Sequence, residues 1–389
     1  MYLTKAEQRI LDGEEGKARQ LAMRLLVAIG DAYDASRMIK IKSSQVSGVS
    51  YKTIGDPGLE FLKEISSEGA VAKVRSMLNP AGMDLSRWRE LGISEGFARK
   101  QLEIMQCFER MRIEPTCTCI PYHESNAPLR GEHVAWAESS AVVFANSVLG
   151  AHTNREGGPT ALASSILGIS PLYGMHLKEN RLPTHLVRVK CKLNSELHYS
   201  LIGYWLGQNL ESSIPRIDGT PKNPSHDKLK ALCASMAASG NISMFSIGAA
   251  RQHEVETVDV HEEELKDTID LLSSDGGYEQ VALGCPHLSL QEMKAVATMV
   301  SGKKMGKRLW CFTSRHIRNQ AQRHGYVSSI ERAGGNVICD TCIVVSPMTE
   351  LGINGIVTNS CKAAHYLRSL SRVETRLMDL EECVKYALQ

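Results

Sequence analysis

The stretch QVALGCPHLSLQEMKAVATMVSGKKMGKRLWCFTSRHIRNQAQRHGYVSSIERAGGNVIC, residues 280–339, decides the fold. QVALG is a short apolar run that reads as a strand ending at Gly284 and Cys285. Ser289 and Glu292 then form a capping box, in which hydroxyl and carboxylate satisfy each other's orphan amides at a helix start. A second strand, RLWCFT, a helix from about Arg315 and a third strand, NVIC, follow. Strands separated by helices of this length require right-handed crossovers and a parallel sheet covered on both faces. Functional groups are then expected just past the strand C-termini.

The same alternation extends outward. SHDKLKALCASMAAS (225–239) reads as helix and NISMFSIGA (241–249) as strand. At the N-terminus, Thr4 and Glu7 make another capping box that opens a helix to about Gly13. Leu21, Leu25, Leu26 and Ile29 recur at helical spacing, and Met38 to Ile41 is a β-rich run. Between the halves, HVAWAESSAVVFANSVLGAHTNREGG (133–158) is rich in Ala, Ser, Val and Gly, which fits a closely packed helix followed by a polar loop. No low-complexity linker or internal repeat marks a boundary, so residues 1–389 are treated as one multi-lobed α/β unit.

Composition limits what such a chain does. With 389 residues and 43% apolar content it can bury a large core. Forty-five Lys and Arg against 43 Asp and Glu leave a formal charge of +2, far from the field that phosphate-backbone binding requires. No run of about 18 apolar residues and no export signal is present, so the expected compartment is the cytoplasm. The eleven cysteines are accordingly read as thiols, some buried and some metal-binding.

Position sorts the cysteines. Cys107, Cys191, Cys233, Cys311 and Cys383 lie in helix-like or strand-like apolar stretches, where a thiol acts as a small hydrophobe. Cys119, Cys285 and Cys342 lie in turn-like contexts beside Pro, Gly or Asp: TCTCIPY, LGCPH and CDTCIVV. Three thiolates suit a [4Fe–4S] cluster with one iron left open, a Lewis acid that binds a substrate hydroxyl and carboxylate while a base removes the neighbouring proton. A structural zinc on Cys339 and Cys342 is the alternative, although that CxxC has no second CxxC or HxxxH at zinc spacing.

Several stretches, spread from the first helix to the last, together resemble the aconitase X family in its archaeal form: SGVSYKTIGDPGLEFL (47–62), LNPAGMDL (78–85), TCTCIPY (116–122), WAESSAVVFANSVLGAHTNREGGP (136–159), GCPH (284–287), DTCIVV (340–345) and TNSCKAAHY (358–366). The resemblance implies an aconitase-like α/β/α unit with parallel sheets that lacks the swivelling domain, since the chain ends soon after VETRLMDLEECVKYAL. A separate small subunit would carry that domain in a heterodimer and supply the base, a serine; no catalytic residue is assigned within this chain. It also implies a [4Fe–4S] cluster on Cys119, Cys285 and Cys342, with Cys117, Cys339 and Cys361 as competing ligands. Cys361 stands where the family is expected to have Gly.

Substrate contacts implied by the resemblance fall on Gly48, Val49 and Ser50, on Asn79 and Pro80, on Ser139 and Ser140, and on Ser360, Cys361 and Lys362. Read from the residues alone, Gly48 to Ser50 is an ordinary turn or a loop that offers N–H groups and a hydroxyl to an anion. Asn79-Pro80 reads as a turn by default. The hydroxyls of Ser139 and Ser140 serve a substrate or the carbonyl four residues back. Ser360 can cap a helix that presents Lys362 to an anion, or Lys362 is a solvated surface lysine. Arg155 suits a carboxylate or pairs with Glu156, and His287 either orients the cluster or is a loop histidine.

The implied reaction is dehydration of (R)-5-phosphomevalonate to trans-anhydromevalonate 5-phosphate in isoprenoid biosynthesis by the mevalonate route. The alternative on the same scaffold is dehydration of cis-3-hydroxy-L-proline. A cluster-bearing RNA-binding protein or a structural metal protein would belong to another class, and the near-neutral charge argues against the former.

Overall fold

Parallel strand pairing dominates the structure, a computed structural model that describes residues 1–124, 127–221, 223–249 and 256–389. The chain divides into two units, Met1–Leu182 and Pro183–Gln389. In the first unit the elements run α1 (Lys5–Asp12), α2 (Lys17–Ala32), β1 (Met38–Lys40), β2 (Ser43–Val46), α3 (Tyr51–Ser67) and β3 (Arg75–Leu78). They continue with α4 (Glu95–Arg110), β4 (Ala135–Trp136), α5 (Ser139–Phe144), α6 (Gly158–Leu167) and β5 (Ile169–Pro171). The Thr4–Glu7 capping box forms, and Gly13 ends α1 at φ +93°, a left-handed cap that glycine adopts without a side-chain clash.

The first unit's parallel sheet has the order β3-β2-β4, and β1 pairs antiparallel with β5. Its centre is β2, with the sequence SSQV and every residue buried. Nothing in that polar run signals a buried strand; it is held instead by side-chain hydrogen bonds. The Ser44 hydroxyl donates to the Ala161 carbonyl at 2.7 Å, and the Trp136 indole N–H donates to Ser43 Oγ at 3.2 Å. Met23, Leu26, Leu59, Leu78, Ile104 and Phe108 pack the adjoining core. Within 133–158, where a packed helix followed by a polar loop is expected, Ala135 and Trp136 first form β4, the helix starts at Ser139, and after Phe144 its turns widen over Ala145–Leu149 before the loop.

The second unit contains β6 (His185–Val189), α7 (Glu196–Asn209), β7 (Pro215–Asp218), α8 (His226–Ser239), β8 (Ser246–Ile247), β9 (Glu256–Val260) and α9 (Glu262–Leu272). These are followed by β10 (Gln280–Leu283), α10 (Leu290–Val300), β11 (Arg308–Phe312), α11 (Arg315–Arg323), α12 (Tyr326–Arg332) and β12 (Asn336–Ile338). The chain closes with β13 (Gly355–Thr358), α13 (Cys361–Ser371), β14 (Glu374–Leu377) and α14 (Leu380–Ala387). A four-stranded sheet has the order β8-β7-β6-β9 and a five-stranded sheet the order β12-β11-β10-β13-β14, all parallel. The strand expected over NISMFSIGA shrinks to the two residues of β8, an edge strand whose single neighbour, β7, supports little more than that pair.

In the five-stranded sheet the chain winds outward from β10 to β12, then returns to the other side of β10 as β13 and β14. That reversal is a topological switch point, where the loops leaving β10 and β13 diverge and open a crevice. In the first unit the same logic applies to the loops leaving β2 and β4, on either side of which the connections run in opposite directions.

Helices α7 and α8 approach through glycine. A Cβ on Gly203 would lie 2.4 Å from the Leu232 carbonyl oxygen, and one on Gly207 would lie 2.7 Å from that of Met236. Any side chain there separates the helices. Gly203→Val is expected to destabilise the protein by about 1–3 kcal/mol or more through overpacking. That corresponds to a fall in Tm of roughly 2–4 °C per kcal/mol for a unit of this size, measurable by thermal unfolding.

Candidate active site

At the C-terminal edge of the first unit's sheet, the backbone past each strand is knitted to its neighbour. Asn79 N–H donates to the Val46 carbonyl at 2.9 Å, Ala137 N–H to Gln45 O at 3.0 Å, and Thr118 N–H to Leu78 O at 3.0 Å. The hub is the buried Gln45 amide. Its Oε1 accepts from Glu138 N–H at 3.0 Å, while Nε2 donates to the Thr118 carbonyl at 3.1 Å and to Asn79 Oδ1 at 3.4 Å. Asn79 Nδ2 in turn donates to one oxygen of the Glu138 carboxylate at 2.7 Å, and the Ser140 hydroxyl donates to the other at 2.9 Å. The Ser140 hydroxyl is thus bonded to a buried acid two residues back, a partner that the sequence alone does not announce.

A second buried amide, Gln101 of α4, fixes the loop before α3. Its Oε1 accepts from Tyr51 N–H at 3.0 Å and Gly82 N–H at 2.9 Å, and Nε2 donates to the Val49 carbonyl at 2.9 Å. Gly48 sits at φ +75°, and Ser50 is the residue that precedes α3. Gly82 is required because a Cβ there would meet Ser50 Oγ at 2.7 Å and Phe97 at 2.6 Å. One sheet edge thus gathers Gly48, Val49, Ser50, Asn79, Pro80, Ser139 and Ser140, with Cys119 directly after Thr118. Gln45, Gln101 and Glu138 were not singled out from the sequence. Glu138 adjoins the serines that were, and its burial is visible only in the structure.

The second unit builds its edge from the loops after β10, β12 and β13. Gly284 lies at φ +104°, and a Cβ there would fall 2.2 Å from the Phe312 carbonyl oxygen, so only glycine brings the Cys285 turn this close to β11. The Cys285–Pro286 peptide is cis. His287 is fully buried, and its Nε2–H donates to the Thr341 carbonyl at 2.8 Å, tying the Cys285 turn to the Cys342 turn. The Arg315 guanidinium pairs with the buried Asp340 carboxylate in the same turn. Ser360 caps α13 by accepting from Ala363 N–H at 3.1 Å, and Cys361 N–H donates to Ser200 Oγ at 3.1 Å. Lys362 is only 7% exposed, which corrects its reading as a solvated lysine. A cavity of about 20 Å³, enough for a water molecule, is lined by Cys285, Pro286, Lys230, Glu292, Asn359 and Ser360, with five further residues.

All eleven cysteines are free thiols, and Cys119, Cys285 and Cys342 are buried. Cys107, Cys233, Cys311 and Cys383 are buried, and Cys191 is half-buried. Burial pushes the Cys311 thiol up to about 12 and raises those of Cys233 and Cys383. Cys361 is likewise pushed up to about 12 by burial, against the opposing effect of the Ser200 hydroxyl. Cys117 packs in the first unit's core at φ +44°. The extended geometry that would turn Cys117 and Cys119 to one face is therefore absent. Among the described residues no three or more His, Cys, Asp and Glu side chains cluster as a single metal-ion site.

Leading into β4 is a packed histidine group. His133 Nδ1 and His176 Nδ1 are 3.0 Å apart, and the His133 and His152 rings lie 5.0 Å apart. Burial pushes His176 down to about 3, and burial followed by the nearby Arg181 charge lowers His133 and His152. Arg181 is itself clamped by the carbonyls of Asn146, Ala151 and Met175. Glu156, also buried, is held above the usual carboxylate range by desolvation, whereas Arg155 is exposed.

Parallel sheets whose C-terminal edges collect cysteines, a capped helix start and buried polar side chains define an α/β protein of the aconitase class. The chain belongs to the aconitase X family: residues 1–179 match the Aconitase X first domain, 183–270 the second and 278–389 the third. It is 47% identical to the phosphomevalonate dehydratase large subunit of Methanocaldococcus jannaschii, over 99% of this chain and 100% of that one. It is also similar to the cis-3-hydroxy-L-proline dehydratase of Pseudomonas aeruginosa, at 32% identity over 98% of this chain and 69% of that protein. The crystal structure of Thermococcus kodakaraensis aconitase X (holo-form) superposes with a TM-score of 0.94 at 43% identity, covering both chains completely. No helix among the described residues is long and apolar enough to cross a membrane.

Two consequences are measurable. Gln45→Leu leaves Glu138 N–H and the Thr118 carbonyl buried without their partner, at about 1–3 kcal/mol each, and should lower the urea midpoint accordingly. For the histidines, unfolded imidazole titrates near 6.5 and buried His176 far lower. The unfolded chain therefore binds more protons as pH falls below about 6.5, and the stabilisation is complete above that pH. By pH 5, His176 alone should remove about 2 kcal/mol, and His176→Gln should flatten the slope.

Proposed function

We propose that this chain is the large, catalytic subunit of a hydro-lyase that converts (R)-5-phosphomevalonate to trans-anhydromevalonate 5-phosphate. The observation that carries the reading is full-length similarity, at 47% identity, to a protein bearing that name and subunit designation. Cys119, Cys285 and Cys342 hold a [4Fe–4S] cluster; the donor set fits because it is purely thiol, the chemistry such clusters take. The Gly284 turn and the His287 strut hold two of those cysteines at the edge of the five-stranded sheet. When bound, the cluster supplies an open iron that acts as Lewis acid toward the departing hydroxyl.

The chain's own residues bind and orient. Backbone N–H groups and the hydroxyl of Gly48 to Ser50 take one anionic end of the substrate, as loops before helices do. Asn79, Ser139 and Ser140 contact the substrate, with Asn79 and Ser140 positioned through Glu138. The start of α13, with Lys362 buried beside Ser360 and Cys361, favours a second anion through the positive end of the helix dipole and the ammonium. A small subunit carrying a swivelling domain supplies the base, a serine, and the heterodimer works in the cytoplasm.

A second reading, cis-3-hydroxy-L-proline dehydratase, is favoured by the 32% identical relative of that name. That substrate has no phosphate, so it asks for fewer anion donors. Anaerobic co-purification with the small subunit and assay of both substrates separates the two. Phosphomevalonate should be turned over by the complex and not by this chain alone. Iron and acid-labile sulfide should be lost in Cys119→Ser, Cys285→Ser and Cys342→Ser but kept in Cys107→Ser and Cys233→Ser. Ser50→Ala should raise KM for the phosphorylated acid about tenfold. Equal or better turnover of cis-3-hydroxy-L-proline would replace the first reading with the second.

A further inference from the structure

Beneath the Cys285 turn lies a charged group that the proposed chemistry does not use. Lys230, early in α8, is 2% exposed. Its ammonium pairs with the Glu292 carboxylate and lies 3.3 Å from Asp227 Oδ1. Both acids are themselves committed to Ser289 at the start of α10: Ser289 N–H donates to Glu292 at 2.7 Å and the Ser289 hydroxyl to Asp227 at 2.9 Å. An ion pair that only stabilised the packing of α8 against α10 would be complete at this point. Lys230 makes one more bond, donating to the backbone carbonyl of His287 at 3.1 Å. His287 carries the restraint onward, because its ring donates to the Thr341 carbonyl. Thr341 immediately precedes Cys342, and His287 follows Cys285 by two residues. A single ammonium is thus connected, through one histidine, to both cysteine-bearing turns of this unit.

We propose that Lys230 is a positioning residue that sets the spacing of the Cys285 and Cys342 turns, holding them ready for an iron–sulfur group. The inference rests on the reading of those cysteines as cluster ligands. Removing the ammonium frees the His287 carbonyl, loosens the strut, and lets both turns move. Because a lone substitution would strand two buried carboxylates, the informative variant is the charge-neutral triple Asp227→Asn/Lys230→Met/Glu292→Gln. It retains hydrogen-bonding groups for Ser289, removes the ion pairs without leaving an unpaired charge, and loses the donor to His287.

The test uses the full chain, without and with its cluster. In the metal-free protein, iodoacetamide labelling of each cysteine is followed by mass spectrometry. The triple variant should label Cys285 and Cys342 roughly tenfold faster than the parent, with Cys119 and Cys233 unchanged, as expected for local opening. Asp227→Asn alone, which keeps the bond to His287, should behave as the parent. After anaerobic reconstitution the triple variant should also lose iron faster during gel filtration. A folded triple variant with parental labelling of both cysteines overturns the proposal. If the triple variant does not fold, His287→Phe removes only the ring contact and should accelerate Cys342 but not Cys285; unchanged Cys342 overturns the proposal equally. A parent that binds no iron or sulfide would instead refute the cluster reading, and the labelling would still decide the role of Lys230.

Discussion

The first unit depends on one buried amide. Gln45 sits on a central strand that has almost no apolar surface to drive it inward, and a buried primary amide is tolerated only where donors and acceptors are all matched. Matching them brings together the Asn79 side chain past β3, the Thr118 carbonyl before Cys119, and the N–H of Glu138. The site is therefore a product of satisfying this side chain rather than of hydrophobic collapse. Gln101 repeats the device one loop away, with Val49, Tyr51 and Gly82 as its partners. Low local dielectric makes such networks strong when complete and costly when broken, which favours a single arrangement of the loops.

The second unit reaches a comparable result by topology. Winding outward from β10 and returning as β13 separates two loops at the centre of the five-stranded sheet, and those loops carry Cys285 and Ser360 to Lys362. Glycine at 284 allows the first to lie against β11, while the Arg315–Asp340 pair and the His287 ring brace the turn that carries Cys342. Burial pushes the thiols of Cys233 in α8 and Cys311 in β11 toward the protonated form.

What the sequence made legible follows from which forces write themselves locally. Capping boxes at Thr4 and Ser289, the helix of α8 and the strands β10, β11 and β12 were readable because hydroxyl–carboxylate spacing and apolar periodicity are short-range signals. The parallel α/β class followed from their alternation. The strand β2 was hidden by its polar composition, since its burial is enforced by residues far along the chain. The same reason concealed Gln45, Gln101, Glu138 and Lys230: each has ordinary surface chemistry, and only its partners make it special. Ser140 was found for its position but not for its bond, because a hydroxyl reaching a carboxylate two residues back looks no different in sequence from one reaching a carbonyl.

The polar strand also constrains how the chain matures. Ser44 is secured by the carbonyls of Ala135 and Ala161, which lie 91 and 117 positions downstream. Without them a strand of serine and glutamine gains little by leaving water. While the polypeptide is being synthesised, β2 has no lasting place until α6 has emerged from the ribosome. Loop-closure entropy over such separations slows assembly. The N-terminal third would thus spend a long part of its synthesis with a vacant strand position and exposed sheet edges, the condition under which a nascent chain most needs shielding by chaperones.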